Sequence, residues 1–274
     1  LAPQRTRGLP PQSLGILLIA MPAETAPSGA AAFCCLQGYS LMSVRNLQAL
    51  LHPSSLVLVG GSARPGSLGA LVLTNILEDE FAGPVTVVNP HPVDVRGAHW
   101  VASLDALQTP PDLAVVVAPA AAVPAIIADL GKIGTRCAVV LSAGITRDPQ
   151  LRQAMLDAAR PHLLRIVGPN CLGIMAPHVR LNATFARTKA RPGRLALISQ
   201  SGALVTAVLD WADARGIGFS GVVSAGDMAD VDVGDLIDLF AVDPQTDAIL
   251  LYLEGVTDAA KFMSAARAAA LNKP

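Results

Sequence analysis

Aromatic side chains make up only 4% of this 274-residue chain, charged ones 15%, and the formal net charge is −1. So few rings offer no platform for stacking bases, and so even a charge balance supplies no field to hold a polyanion. Nucleic acid and anionic membrane surfaces are therefore not expected as partners. Long apolar runs are missing too. Hydrophobic residues reach 52%, but in short runs, well below the ~18 consecutive residues that suggest a membrane-spanning helix. The four cysteines, Cys34, Cys35, Cys137 and Cys171, form no CxxC pair and have no histidine cluster beside them, so no metal site is expected and a reducing, cytoplasmic compartment is the default. Histidine is scarce, and the last one is His178.

What is present is an alternation. The first 41 residues stand apart, rich in Pro, Ala, Gly and Ser and starting at Leu1. Arg5 and Arg7 before the apolar stretch Leu14–Met21 raise the possibility of a signal peptide, but the cytoplasmic character of the body favours a disordered or spurious extension, with Met42 as the natural start. From Asn46 onward short apolar strands (56–59, 84–88, 113–117, 138–141, 164–167) alternate with amphipathic helices (67–80, about 119–133, 149–160). That rhythm predicts βαβ units and one doubly wound parallel sheet over roughly 42–175. Pro177, Asn182, Pro192 and Gly193 mark 176–193 as a linker. A second alternation fills 194–274, with strands at 195–199, 219–223 and 248–253 and helices at 203–215, 233–241 and 258–271, so only three strands of a further, incomplete α/β sheet are expected.

The chemistry is expected where strands run into helices. Gly60-Gly-Ser-Ala-Arg-Pro-Gly-Ser-Leu-Gly69 follows the first strand and opens the first helix, the position at which doubly wound sheets bind phosphate on free backbone N–H groups. It is not GxGxxG, because Arg64-Pro65 lengthens it. The second strand ends in Asn89-Pro90 where a nicotinamide enzyme wants a ribose-binding acid, which counts against an NAD(P)-dependent oxidoreductase. Ser142-Ala-Gly144 and Gly168-Pro-Asn-Cys-Leu-Gly173 end later strands on the ligand-binding edge, so Ser142, Gly144 and Asn170 join the candidates; Asn170 either donates from its amide or supports a loop. Cys171 has no sequence neighbour that would activate it, and packing is the better account. Ser199-Gln-Ser-Gly202 has the form of a nucleophile elbow, but a serine hydrolase of that order needs a downstream histidine, and none follows. Ser201 and the N–H groups after it suit a phosphate instead. Asp227, Asp230, Asp232 and Asp235 lack the glycine and terminal glutamate of a calcium loop, and Asp232 and Asp235 read as a helix cap. Glu254, at the end of Ile249-Leu-Leu-Tyr-Leu253, is either satisfied by a turn or poised for chemistry.

Taken in order, Leu56-Val-Leu-Val-Gly-Gly-Ser with Gly66 and Gly69, Val88-Asn-Pro90, Pro111-Asp-Leu-Ala-Val115, Gly168-Pro-Asn-Cys-Leu-Gly173, Ile198-Ser-Gln-Ser-Gly-Ala203 and Leu250-Leu-Tyr-Leu-Glu254 resemble the nucleoside-diphosphate-forming acyl-CoA synthetases, the superfamily of the succinyl-CoA synthetase α subunit. The wording of 226–235 is closest to bacterial members fused to a GNAT-type acetyltransferase. The resemblance implies a CoA-binding Rossmann-like domain followed by a flavodoxin-like ligase domain. It implies a reversible reaction in which phosphate attacks acyl-CoA to give an acyl phosphate, a histidine takes the phosphoryl group, and a separate ATP-grasp domain or subunit passes it to ADP with Mg2+. By similarity Gly60, Ser62, Gly66, Ser67, Asn89, Pro90 and Ser142 line the CoA site, Ser201 and Gly202 hold phosphate, and Glu254 orients the phosphohistidine. That histidine and the ATP-grasp part are not among these residues, so the resemblance implies the CoA-binding portion of a larger ligase, inactive alone. The alternative it leaves open is a CoA-sensing regulatory module of an acetyltransferase, since many of the family's synthetases carry Asn where this chain has Asp227.

Overall fold

The computed structural model describes residues 44–273; the expected N-terminal extension and the start at Met42 lie outside the described residues. After a short helix α1 (Gln48–Leu51), the first sheet is built from β1 (Leu56–Val59), β2 (Val85–Val88), β3 (His99–Val101), β4 (Leu113–Val116), β5 (Cys137–Val140) and β6 (Arg165–Val167), in the order β3-β2-β1-β4-β5-β6 and parallel throughout. β1, β4 and β5 are buried along their whole length, which is why they read as unbroken apolar runs instead of alternating ones. Helices α2 (Leu68–Glu78), α3 (Val123–Lys132) and α4 (Pro149–Ala159) connect them. The strand order reverses between β1 and β4, and such a switch point opens a crevice at the carboxyl ends of the strands.

The second sheet differs from expectation. It has five strands, β7 (Gly173–Ala176), β8 (Leu181–Thr184), β9 (Pro192–Ser199), β10 (Phe219–Ser224) and β11 (Ala248–Tyr252), ordered β11-β9-β10-β7-β8. β9 pairs in parallel with β10 and β11, whereas β7 runs antiparallel to β10 and to β8. Residues 176–193, expected to be a linker, therefore hold a complete strand and the start of another. Pro177 and Arg180 turn the chain back in a tight antiparallel pair, with Arg180 at a φ of 56°. The turn signals were real, but they punctuate a hairpin. Helices α5 (Gly202–Asp213), α6 (Val233–Val242) and α7 (Ala259–Ala270) cover this sheet.

Polar caps set the helix starts. Ser67, Asp148, Ser201, Asp232 and Asp258 each accept a first-turn N–H at the head of α2, α4, α5, α6 and α7, and Asp232 with Asp235 forms the reciprocal capping box expected from sequence. One continuous apolar core runs through both sheets, from Leu50, Leu56 and Ile76 to Ile174, Ile198 and Phe240. None of the helices among the described residues is long and apolar enough to cross a membrane.

Candidate functional site

Two cavities meet at the crevice. The first, about 940 Å3, opens over the loop that follows β1 and includes Gly60, Ser62, Arg64, Ser67, Asn89 and Pro90 in its lining. The second, about 750 Å3, brings Ser142 and Asn170 from the first sheet together with Gln200 and Gly202 from the second. Leu68, Val117, Ala118 and Pro119 belong to both walls, so the spaces adjoin. Their volumes fall in the usual range for small-molecule sites, about 300–1,000 Å3.

The loop of the first cavity is held from within. Gly60 has φ +89°, and a Cβ there would stand 1.9 Å from Val117 O; a Cβ at Gly69 would stand 2.1 Å from Gly60 O. These two glycines let β1, β4 and α2 close on one another. Gly66, with φ +75°, has nothing within 4 Å of its missing Cβ, so the loop stays open above the N-terminus of α2. Ser67 Oγ donates to Arg64 O at 2.8 Å and accepts from Ala70 N–H at 3.2 Å, while Ser62 Oγ accepts from Arg64 N–H at 3.0 Å. Asn89 Nδ2 donates to Gly61 O at 2.7 Å, and its Oδ1 accepts from His91 N–H at 2.9 Å. The Asn that replaces a ribose-binding acid thus ties the end of β2 to the glycine loop. Arg64, which interrupts the glycine pattern, is exposed on the cavity wall and is the cation the sequence reading passed over.

In the second cavity, buried Ser142 accepts from Ala118 N–H at 3.2 Å and donates to Ala118 O at 2.6 Å, pinning β5's end to β4's. Asn170, at φ 58°, donates from Nδ2 to Asp227 at 3.0 Å; Asp227 also accepts from the Thr146 hydroxyl. This bond ties one loop to another, and its acceptor is a carboxylate that sequence spacing had left unassigned. Ser199 Oγ accepts from Ser201 N–H at 3.1 Å and donates to Ser201 O at 2.9 Å, which shapes the turn into α5. Ser201 Oγ then caps Leu204 N–H, leaving the N–H groups of Gly202 and Ala203 at the cavity wall without helical partners. Glu254 is exposed. It reaches this turn through Gln200, whose Oε1 accepts from the N–H groups of Glu254 and Gly255 and whose Nε2 donates to Gly255 O at 2.8 Å. Gly66, Gly144, Ser201 and Glu254 are not in either lining; the first three adjoin residues that are, and Glu254 is bonded to one.

Cys171 donates to Val140 O at 3.4 Å, and burial pushes its thiol up to about 12. A thiol held neutral in this way packs and does not attack. No group of three His, Cys, Asp or Glu among the described residues is placed to hold a metal ion.

Comparison with known proteins agrees with this division. Residues 54–177 match the CoA binding domain family, and residues 192–274 match the succinyl-CoA ligase like flavodoxin domain family. The chain is 37% identical over 237 residues to the acetate–CoA ligase (ADP-forming) I subunit alpha of Pyrococcus furiosus, covering 84% of this chain and 51% of that one. It is 37% identical over 232 residues to the acetate–CoA ligase (ADP-forming) I of Archaeoglobus fulgidus, 83% of this chain and 34% of that protein. Among solved structures, the dinucleotide forming acetyl-coenzyme A synthetase 1 of Ca. Korarchaeum cryptofilum, in complex with phosphate and ADP, superposes with a TM-score of 0.79 at 35% identity, covering 83% of this chain and 50% of that one. The chain thus spans about half, or less, of the relatives it matches. By these matches the chain joins a domain of the CoA binding family, at 54–177, to one of the succinyl-CoA ligase like flavodoxin family, at 192–274.

Proposed function

We propose that this chain is the CoA-binding and acyl-transferring part of an ADP-forming acyl-CoA ligase. CoA or its thioester would bind in the cavity over the glycine loop, and phosphate at the N-terminus of α5. The observation that carries this reading is the junction of the two cavities at Leu68, Val117, Ala118 and Pro119, which puts the N-termini of two serine-capped helices within reach of one extended ligand. Unpaired N–H groups and the positive end of the helix dipole favour an anion at each. The open space above Gly66 and the exposed Arg64 suit a phosphorylated ligand at the first. The chemistry supported is phosphorolysis: a phosphate oxygen bonds to the thioester carbonyl carbon, the carbon–sulfur bond breaks, the thiolate takes a proton, and acyl phosphate and CoA result. Gly202 and Ala203 N–H groups would hold the attacking phosphate, while Ser142 and Asn89 keep the loops in place. The lining of the second cavity contains no histidine, so onward phosphoryl transfer would need a group supplied from beyond these residues, as would ATP or ADP.

Calorimetric titration of the chain with CoA, with NAD as control, tests the reading. Saturable CoA binding is expected, and Ser67→Asp, which retains a helix-capping oxygen but adds a negative charge, should weaken it by about tenfold or more. NAD binding in place of CoA would return the chain to the dehydrogenases. An unchanged CoA affinity in Ser67→Asp would move the ligand away from the glycine loop.

A further inference from the structure

A third cavity, of about 330 Å3, adjoins the second one; Leu172, Phe185 and Thr206 line both, and Ala186, Arg187, Thr188 and Asp210 line the third alone. Phe185 is 37% exposed. A single exposed apolar side chain is ordinary; what sets this ring apart is its place between two cavities on a backbone that is tied down. Asn75 on α2 donates from Nδ2 to Thr184 O at 2.8 Å and to Ala186 O at 2.9 Å. The buried Thr184 hydroxyl accepts from Ala186 N–H at 3.1 Å and donates to Asn182 at 2.7 Å. The residues on either side of Phe185 are therefore fixed from the helix that opens the first cavity.

The three cavities form a series, and a thioester has a direction. With its carbonyl beside Gly202 and Ala203, the sulfur and pantetheine arm lead back past Leu68 and Val117 into the first cavity. The acyl chain leaves the carbonyl carbon on the other side, where the wall is Leu172, Phe185 and Thr206. From this geometry we infer that Phe185 determines acyl specificity: the acyl chain runs across its ring into the third cavity, which suits acyl groups longer than acetyl. The space is on the order of ten waters at ~30 Å3 each, far more than a methyl group fills. This inference rests on the reading of the first two cavities as the CoA and phosphate sites.

The test is calorimetric titration of the full chain, and of Phe185→Ala and Phe185→Leu, with CoA, acetyl-CoA and hexanoyl-CoA. The thermal unfolding of each variant would be recorded beside it. Hexanoyl-CoA should bind the unaltered chain about tenfold more tightly than CoA does, while acetyl-CoA stays within about twofold of CoA. Phe185→Ala should abolish the hexanoyl gain and leave CoA affinity unchanged, and Phe185→Leu should keep part of it. If hexanoyl-CoA binds no better than CoA, or if the gain survives Phe185→Ala in a folded variant, the inference is overturned while the CoA reading stands. If CoA itself does not bind, both fall.

Discussion

At the scale of single residues, burial decides what Cys137 and Cys171 do, and packing, the account the sequence favoured for Cys171, is what the structure gives it. Cys137 and Cys171 are fully buried thiols, each pushed by burial from 9.0 up to about 12. A folded value above the unfolded one means that each thiol's contribution to stability is complete below about pH 9 and lost as pH climbs toward 12, because the unfolded chain releases its thiol protons first. The urea midpoint should therefore fall as pH rises above about 9. In Cys171→Ala the fall should be shallower, by up to about 1.4 kcal/mol per pH unit in stability. An identical slope in the variant would mean that this thiol ionises freely in the fold. The glycines show what sequence can and cannot deliver. Gly60 and Gly69 are there for contact, Gly66 for open space, and a string of letters makes all three look alike. Asn89 and Pro90 were legible as a departure from dinucleotide binding, but the bond from Asn89 to Gly61 O joins the segments that follow two different strands and has no sequence signature.

At the scale of elements, the strands that were legible are those buried on both faces. β1, β4 and β5 are continuous apolar runs with every residue covered, and the helices between them carry periodic faces, with Ser67 capping α2 and Pro124 in the first turn of α3. β3 escaped because His99-Trp100-Val101 is a three-residue edge strand, mostly uncovered. β8 escaped because Leu-Asn-Ala-Thr buries two polar side chains that satisfy each other, the Thr184 hydroxyl donating to Asn182 at 2.7 Å. The aspartates of 226–235 divide in the same way. Asp232 and Asp235 were readable as a cap from spacing alone. Their partners were not: Arg165 on β6 reaches Asp230 and Asp235 at 3.0 Å each, and Lys261 on α7 reaches Asp232 at 3.1 Å and Asp235 at 2.7 Å. Burial works against the charge on Arg165, but Asp230 and Asp235 outweigh it and hold the guanidinium's pKa above its ordinary value. Because Asp235 is only 2% exposed, removing Arg165 leaves a buried carboxylate with Lys261 as its remaining cation. Arg165→Met should cost about 3 kcal/mol in urea unfolding, whereas the double variant Arg165→Met with Asp235→Leu should recover much of that loss. A double variant no more stable than the single one would show that the pair contributes by attraction and not merely by avoiding an unpaired charge.

At the scale of the molecule, the two sheets share one core, beside a smaller apolar cluster that each keeps to itself. Leu50 and Leu51 of α1, Ile76 of α2, Val139 of β5, Ile174 of β7, Ile198 of β9 and Phe240 of α6 belong to one buried cluster, and Arg165 binds across the same junction. The functional reading depends on this, because the second cavity takes Ser142 from one sheet and Gly202 from the other, and a site shared between sheets holds its geometry only while both are in place. Shared burial implies shared unfolding, even in a chain larger than most two-state domains. The two tryptophans allow the point to be measured. Trp100 lies on β3 of the first sheet, with its indole N–H donating to Asn89 O at 2.9 Å, and Trp211 lies on α5 of the second, with Arg215 over its ring at 4.6 Å. In Trp211→Phe and Trp100→Phe, fluorescence reports one sheet at a time. The two denaturation curves should coincide, and CoA at 100 times its dissociation constant should shift both by about 2.7 kcal/mol, although it contacts mainly the first sheet in the proposed mode. Separate midpoints, with CoA moving only the Trp100 curve, would mean that the sheets unfold independently. The second cavity would then be a contact between two domains that can part, and acyl transfer would require them to close on the ligand.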